Sequence, residues 1–215
     1  MKNMSRNFLK VLSFLYFFVI IFKKEVETME DKKTKIRKEN KILRSKLTKD
    51  EVREKSERAS KIFLQSDIYK KSRELMLYMP LGNESDTKAI IEKAFFDGKK
   101  VIFPVTDEKS GIITPYYSKE DTEFSKGGFS VFEPLGCEIA NEKNIDVIIV
   151  PGIAFSKNGA RIGFGKGCYD KLLKNTDAIK IGYCYSFQLY EEIPTDTYDI
   201  PMDYIISEDG MIKCN

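Results

Sequence analysis

The sequence predicts an α/β fold: one three-layer α/β/α domain with a mainly parallel sheet. Three observations carry this. Strand-like apolar runs alternate with helix-like segments along the chain. The runs "VIFPV" (101–105) and "IDVIIVP" (145–151) are apolar without alternation, as strands covered on both faces are. A length of 215 residues suits a single domain with a sizeable core.

The elements follow in order. Residues 1–28 carry the apolar stretch "FLKVLSFLYFFVIIF" (8–22) between lysines. Its uninterrupted part, Val11–Phe22, is shorter than the about 20 residues that span a bilayer. No small-residue cleavage site follows it. It therefore reads as an uncleaved anchor, an interfacial segment, or a stretch that is not translated; the expectation is a start at Met29, with the catalytic domain over 29–215. Residues 32–46 are strongly basic with a few apolar positions at helical spacing, and composition alone makes them a solvated helix. "TKDE" (48–51) is a capping box, Thr48 as N-cap and Glu51 at N3, so a helix runs to about Ser66. "ELMLYMP" (74–80) reads as a strand ended by proline. "ESDTKAIIEKAFFDGKK" (84–100) reads as a helix closed by Gly98. Strands follow at 101–105 and 111–118, the second antiparallel and near an edge because of Pro115. After strand 145–151 come a glycine-rich turn, a helix to Leu173, a strand at 179–185 and a last strand at 202–208.

Charge and composition exclude several classes. The chain's net charge is +3, and residues 1–28, with five basic and two acidic side chains, account for all of it. The body is neutral overall and has no nucleic-acid footprint. There is no histidine, which removes Ser-His and Cys-His catalysis and histidine-ligated metals. The four cysteines show no C-x-x-C spacing and read as reduced thiols of a cytoplasmic protein.

The chemistry concentrates in "ARIGFGKGCYDKLL" (160–173). Glycines let backbone N–H groups approach an anion, and Arg161 and Lys166 add two charges. The pattern is neither Walker A nor the dinucleotide fingerprint. Spacing alone leaves two readings open, a phosphate cradle and a turn that is glycine-rich only for close packing. Asp170 fits Mg²⁺ beside phosphate oxygens, since magnesium usually takes one or two carboxylates. "DIPMDYII" (199–206) offers a second from either Asp199 or Asp203.

These residues together carry a resemblance. "VPGIAFSKNGARIGFGKGCYDKLL" (150–173), "KTKIR" (33–37), "NESDT" (83–87) and "YCYSFQLYEEIPTDTYDIPMDYII" (183–206) resemble, in this order, the motifs of the 5-formyltetrahydrofolate cyclo-ligase (methenyltetrahydrofolate synthetase) family. The resemblance covers about residues 32–208. It implies ATP- and Mg²⁺-dependent closure of 5-formyltetrahydrofolate to 5,10-methenyltetrahydrofolate by a monomer, with membrane contact only through residues 1–28. Position by position, it implies ATP binding by Lys33, Thr34, Lys35, Ile36 and Arg37, with Lys33 and Arg37 on the phosphates. The ATP loop is implied over Arg161, Ile162, Gly163, Phe164, Gly165, Lys166, Gly167, Cys168 and Tyr169. Gly165 to Tyr169 would also face folate, and Lys166 and Arg161 would be the catalytic cations. Met79 and Glu84 would contact folate; Asp170 and Asp203 would hold Mg²⁺. Tyr185 and Gln188 are weaker candidates, and Phe129 reads as core, with pterin contact the alternative. Cys168 and Phe164 depart from the family's usual residues, where tyrosine and Tyr or Arg are commoner. Two other readings remain open here: a sugar-phosphate isomerase-like enzyme on a related scaffold, and a non-catalytic folate- or nucleotide-binding relative.

Overall fold

The computed structural model describes residues 28–214. The expectations for residues 1–27 lie outside the described residues. Thr28 lies inside them and N-caps the first helix among the described residues, α1 (Met29–Ser45), through a capping box with Asp31. That helix thus takes its cap from the residue before the expected domain start. Among the described residues no helix is long and apolar enough to cross a membrane.

Seven strands form the central sheet in the order β12-β11-β9-β6-β1-β2-β3. β6 (Val147–Val150) and β1 (Glu74–Met76) sit at its centre and pair in parallel. β9 (Ile179–Tyr183) and β11 (Tyr204–Ser207) extend the parallel part on one side, and β2 (Lys100–Thr106) on the other. β3 (Ile113–Ser118) closes one edge antiparallel to β2, with Pro115 opposite Pro104. A proline there removes a ladder donor, which an edge tolerates. The other edge is β12 (Gly210–Lys213), antiparallel to β11, so residues 202–208 do not hold the last strand. The missed signal is Glu208-Asp209 followed by Gly210: the two-residue turn brings Gly210 opposite Ser207.

Neighbouring strand residues feed opposite cores, as a two-residue period requires. Leu75, Leu77, Ile149 and Tyr183 point to the cluster that contains Phe63, Ala59 and Ile90. Met76, Ile148, Val150 and Ile205 point to the cluster that contains Phe155, Leu172 and Leu173. Helices α2 (Lys49–Gln65), α3 (Asp67–Lys71) and α4 (Lys88–Phe96) therefore cover the first face. Helix α5 (Cys168–Leu173) covers the second. These are the three layers the sequence predicts.

Two predicted boundaries shift for physical reasons. β1 ends at Met76 rather than at residue 80, because the chain then leaves the sheet: Tyr78 accepts from the Thr87 hydroxyl (2.7 Å) and donates its own hydroxyl to the Ser85 carbonyl (2.7 Å). The same bonds delay α4 to Lys88, since the Thr87 hydroxyl is diverted from capping. The capping box at Thr48 and the closure at Gly98 (φ +69°) are as expected. Pieces too short to show a period are β4 (Phe124–Lys126) with β5 (Phe132–Pro134), and a small sheet of β7 (Ala154–Ser156), β8 (Arg161–Ile162) and β10 (Leu189–Tyr190).

A buried acid pins α2 to the far edge of the sheet. Glu208 is 3% exposed and accepts from Lys55 Nζ (2.6 Å), the Ser186 N–H (2.8 Å) and the Ser186 hydroxyl (2.9 Å). Burial works against its ionisation, but these donors outweigh burial and hold the carboxyl below its ordinary value. The ionised form's contribution is thus complete above the unfolded value of about 4.3 and fades as pH falls through the lower folded value. Glu208→Gln should cost about 2 kcal/mol at neutral pH. Urea unfolding should show the gap to the parent closing as pH drops below about 4; a constant gap would contradict this assignment.

Candidate functional site

The strand order reverses direction between β1 and β6, and in open parallel sheets ligands bind in the crevice beyond the carboxyl ends at such a point. Two loops leave that point. Residues 77–87 follow β1 and bring Met79 and Glu84. Residues 151–167 follow β6 and bring β7, β8 and the glycine turn.

Helix α1 lies across both loops. Lys33, Arg37, Asn40 and Arg44 are spaced by four, three and four residues and share one face. Lys33 Nζ pairs with Asp199 Oδ2 at 2.6 Å. Arg37 Nε donates to the Gly163 carbonyl at 3.0 Å. Asn40 Nδ2 donates to Tyr190 Oη at 2.7 Å. Arg44 Nη1 pairs with Glu84 Oε1 at 3.2 Å. Lys33 and Asn40 are buried. Between them Ile36 packs on the cluster of Ala154, Ala160 and Ile162. Thr34 and Lys35 lie exposed on the opposite side, so of residues 33–37 only Lys33 and Arg37 turn to the crevice with polar groups.

In the glycine turn, Arg161 is buried and donates from Nη2 to both oxygens of Asp170 at 3.0 Å. Its guanidinium also lies 5.7 Å from the ring centre of Tyr169. Ile162 is buried beneath the turn. At Gly163 a Cβ would stand 2.8 Å from Arg161 Nη1, so a side chain there would push the guanidinium aside. Gly165 (φ +95°) and Gly167 (φ +64°) hold backbone that side chains disfavour, and Gly165 faces the Arg37 guanidinium. Phe164 is exposed with Lys41 Nζ over its ring. Lys166 is exposed and makes no ion pair among the described residues. Cys168 opens α5 and packs partly on the second core cluster near Gly111, so this position contributes to packing. Burial pushes the Tyr169 phenol well above its ordinary value. All four cysteines are free thiols.

The acidic residues sort differently from the expectation. Asp203 stands just before β11, where its Oδ2 accepts from the Lys180 N–H (2.7 Å) and Lys180 Nζ (3.4 Å). Lys180 is near the start of β9, so Asp203 sits at the amino ends of the strands, away from the crevice. Asp199 is the one that reaches Lys33, and the next N–H, of Ile200, donates to Asp170 Oδ1 at 3.2 Å. The carboxylates that share a neighbourhood are therefore Asp170 and Asp199. Two carboxylates beside cations match the protein ligands Mg²⁺ usually takes, with water and phosphate completing its shell. Among the described residues there is no larger group of acidic, cysteine or histidine side chains arranged for a metal.

On the other side of the crevice Glu84 is 6% exposed, and burial pushes its carboxyl up despite the opposing pull of Arg44. Met79 is partly buried against the first core cluster. Tyr185 is buried with its hydroxyl unpartnered, as is the Ser85 hydroxyl. Gln188 is fully engaged as a brace: Nε2 donates to the Gly152 and Ile153 carbonyls (3.1 and 2.8 Å) and Oε1 accepts from the Tyr185 N–H (3.0 Å). Phe129 is not core. It is exposed at φ +54° in the turn between β4 and β5, beside Gly128, which packs on the Thr106 carbonyl at the end of β2. Asn40 and Arg44 are site-facing residues that the sequence reading did not assign, whereas Asp199 is the one of its two alternatives that reaches the crevice. The signal was the spacing from Lys33 and Arg37 along one helix face.

Residues 29–208 match the model of the 5-formyltetrahydrofolate cyclo-ligase family. The 5-formyltetrahydrofolate cyclo-ligase of Haemophilus influenzae is 29% identical over 178 residues, covering 80% of this chain and 95% of that protein. The solution structure of Aquifex aeolicus 5,10-methenyltetrahydrofolate synthetase superposes with a TM-score of 0.76 at 34% identity, covering 84% of this chain and 92% of that one. A Mycoplasma pneumoniae 5,10-methenyltetrahydrofolate synthetase shares the fold with a TM-score of 0.66 at 24% identity, over 82% and 98% of the two chains. With four ordered motifs, a matching fold and this coverage, the chain belongs to the 5-formyltetrahydrofolate cyclo-ligase family.

Proposed function

We propose that this protein closes 5-formyltetrahydrofolate to 5,10-methenyltetrahydrofolate with ATP, releasing ADP and phosphate. The observation that carries this reading is one crevice with two chemistries. The side chains of Lys33, Arg37, Arg161 and Lys166 gather around the glycine turn, and the buried carboxylate of Glu84 faces in from the other loop. Four cations suit a triphosphate. A buried, oriented carboxylate suits the amino donors of a pterin ring.

In this reading Lys33, Arg37 and Lys166 bind the phosphates and Arg161 orients them, while Glu84 fixes the pterin so that the N5-formyl oxygen points at the γ-phosphate. That oxygen attacks phosphorus and ADP leaves. N10 then attacks the activated formyl carbon, phosphate departs with the formyl oxygen, and the N10 proton passes to solvent. The protein need not supply a nucleophile, since phosphoryl transfer depends mostly on positioning and charge neutralisation. The ring closure is intramolecular and gains from proximity. Mg²⁺ would be held by Asp170 and Asp199 and would neutralise phosphate charge.

A spectroscopic assay for methenyltetrahydrofolate, with ATP and Mg²⁺ omitted in turn, tests this. Product should form only when both are present, with one ADP for each methenyl group formed. Cyclisation without ATP, or ADP release independent of 5-formyltetrahydrofolate, would overturn it.

A further inference from the structure

The shared face of α1 ends on Arg44, which lies outside every motif that carries the family resemblance. Its guanidinium is largely buried (12% exposed) and so is the Glu84 side chain it meets (7%), at 3.2 Å. The other Glu84 oxygen accepts from the Leu81 N–H at 3.0 Å. Each oxygen thus has one protein donor, and a carboxylate offers about four acceptor sites in all. One site on each oxygen remains for a ligand. The pair cannot drift apart easily, because Asn83 Nδ2 donates to the carbonyls of Arg44 (3.1 Å) and Leu47 (3.0 Å), stitching the loop to the end of α1.

We propose that Arg44 is a positioning residue that keeps the Glu84 carboxylate ionised and aimed for the pterin, acting through Glu84 without touching the ligand. This rests on the reading of Glu84 as the pterin's partner. The groups that face Glu84 are Arg44 from α1, Tyr78 from the end of β1 and Tyr169 from α5. Burial holds both phenols well above their ordinary values, so they stay neutral, and Arg44 is the facing cation. Without it, only the Leu81 N–H opposes burial at Glu84, and the carboxyl takes up a proton at higher pH.

The experiment is calorimetric titration of 5-formyltetrahydrofolate into the full chain across about pH 5 to 9, a range that brackets a raised carboxyl. Arg44→Met should weaken binding roughly tenfold or more at pH 7 and move the acid limb of binding up by about one to three pH units. Arg44→Lys, which keeps the charge, should restore most of both. Glu84→Gln should weaken binding and abolish the limb. The double variant Arg44→Met/Glu84→Gln leaves no unpaired buried charge, folds even if Arg44→Met does not, and should bind like Glu84→Gln alone. An unmoved acid limb in Arg44→Met, or a double variant much weaker than Glu84→Gln, overturns the inference while the reading of Glu84 stands. Parent-like binding by Glu84→Gln overturns both.

Discussion

Asp170→Asn should lower turnover by about three orders of magnitude, the scale of the several kcal/mol that charge neutralisation supplies to a phosphoryl transition state. The side chain has two jobs. It is one of the two carboxylates proposed to hold Mg²⁺, and it is the bidentate partner of Arg161, whose side chain is 6% exposed. An amide keeps the shape and can still accept from the Ile200 N–H, but it has no charge to set against a buried guanidinium. Breaking a buried pair costs about 3–5 kcal/mol when nothing replaces the lost partner. Thermal unfolding should therefore fall together with kcat. Saturating ATP should recover part of the lost stability, because its phosphates give Arg161 a new anion. Near-parental turnover would refute the role of Asp170, whatever happens to stability.

Gly159→Ala should destabilise by about 3 kcal/mol through strain and overpacking together. Gly159 turns the β7–β8 hairpin at φ +91°. An added Cβ would meet the Met202 carbonyl oxygen at 2.5 Å and the Met202 nitrogen at 3.3 Å. Those are backbone atoms, so no side-chain rotation relieves the clash. The contact also carries the bond from the Met202 N–H to the Gly159 carbonyl (2.8 Å), which ties the hairpin to the segment bearing Asp199. Urea unfolding measures the loss, and a midpoint equal to the parent's would show that the turn relaxes elsewhere. Activity should fall beyond the loss of folded protein, because Lys33 and Arg161 find their acids in that segment and its neighbour.

The central sheet was legible because its strands are buried on both faces and their apolar runs are unbroken, as in Val147–Val150. The small sheet was not, since β8 and β10 are two residues each and only distant pairing defines them. The site was legible in its motifs but not in its partnerships. Asp199 and Asp203 are equivalent carboxylates in the sequence; what separates them is which end of β11 each reaches, a fact of topology. The basic helix misled in a particular way. Its exposed Ile42 and Leu43 are apolar, while its buried face is made of Lys33, Asn40 and Arg44 with only Ile36 among them. A search for amphipathic pattern looks for the opposite face.

That inverted face gives α1 a different kind of attachment from the rest of the molecule. Oil holds the sheet and its covering helices, whereas ion pairs and hydrogen bonds hold α1. Because the pairs of Lys33 and Arg44 are largely buried, salt screens them only weakly. With little apolar area holding it, α1 should exchange its amides with solvent deuterium before β6 does. Under the proposed function, a polyanion drawn to Lys33 and Arg37 would engage the same helix whose far end grips Glu84.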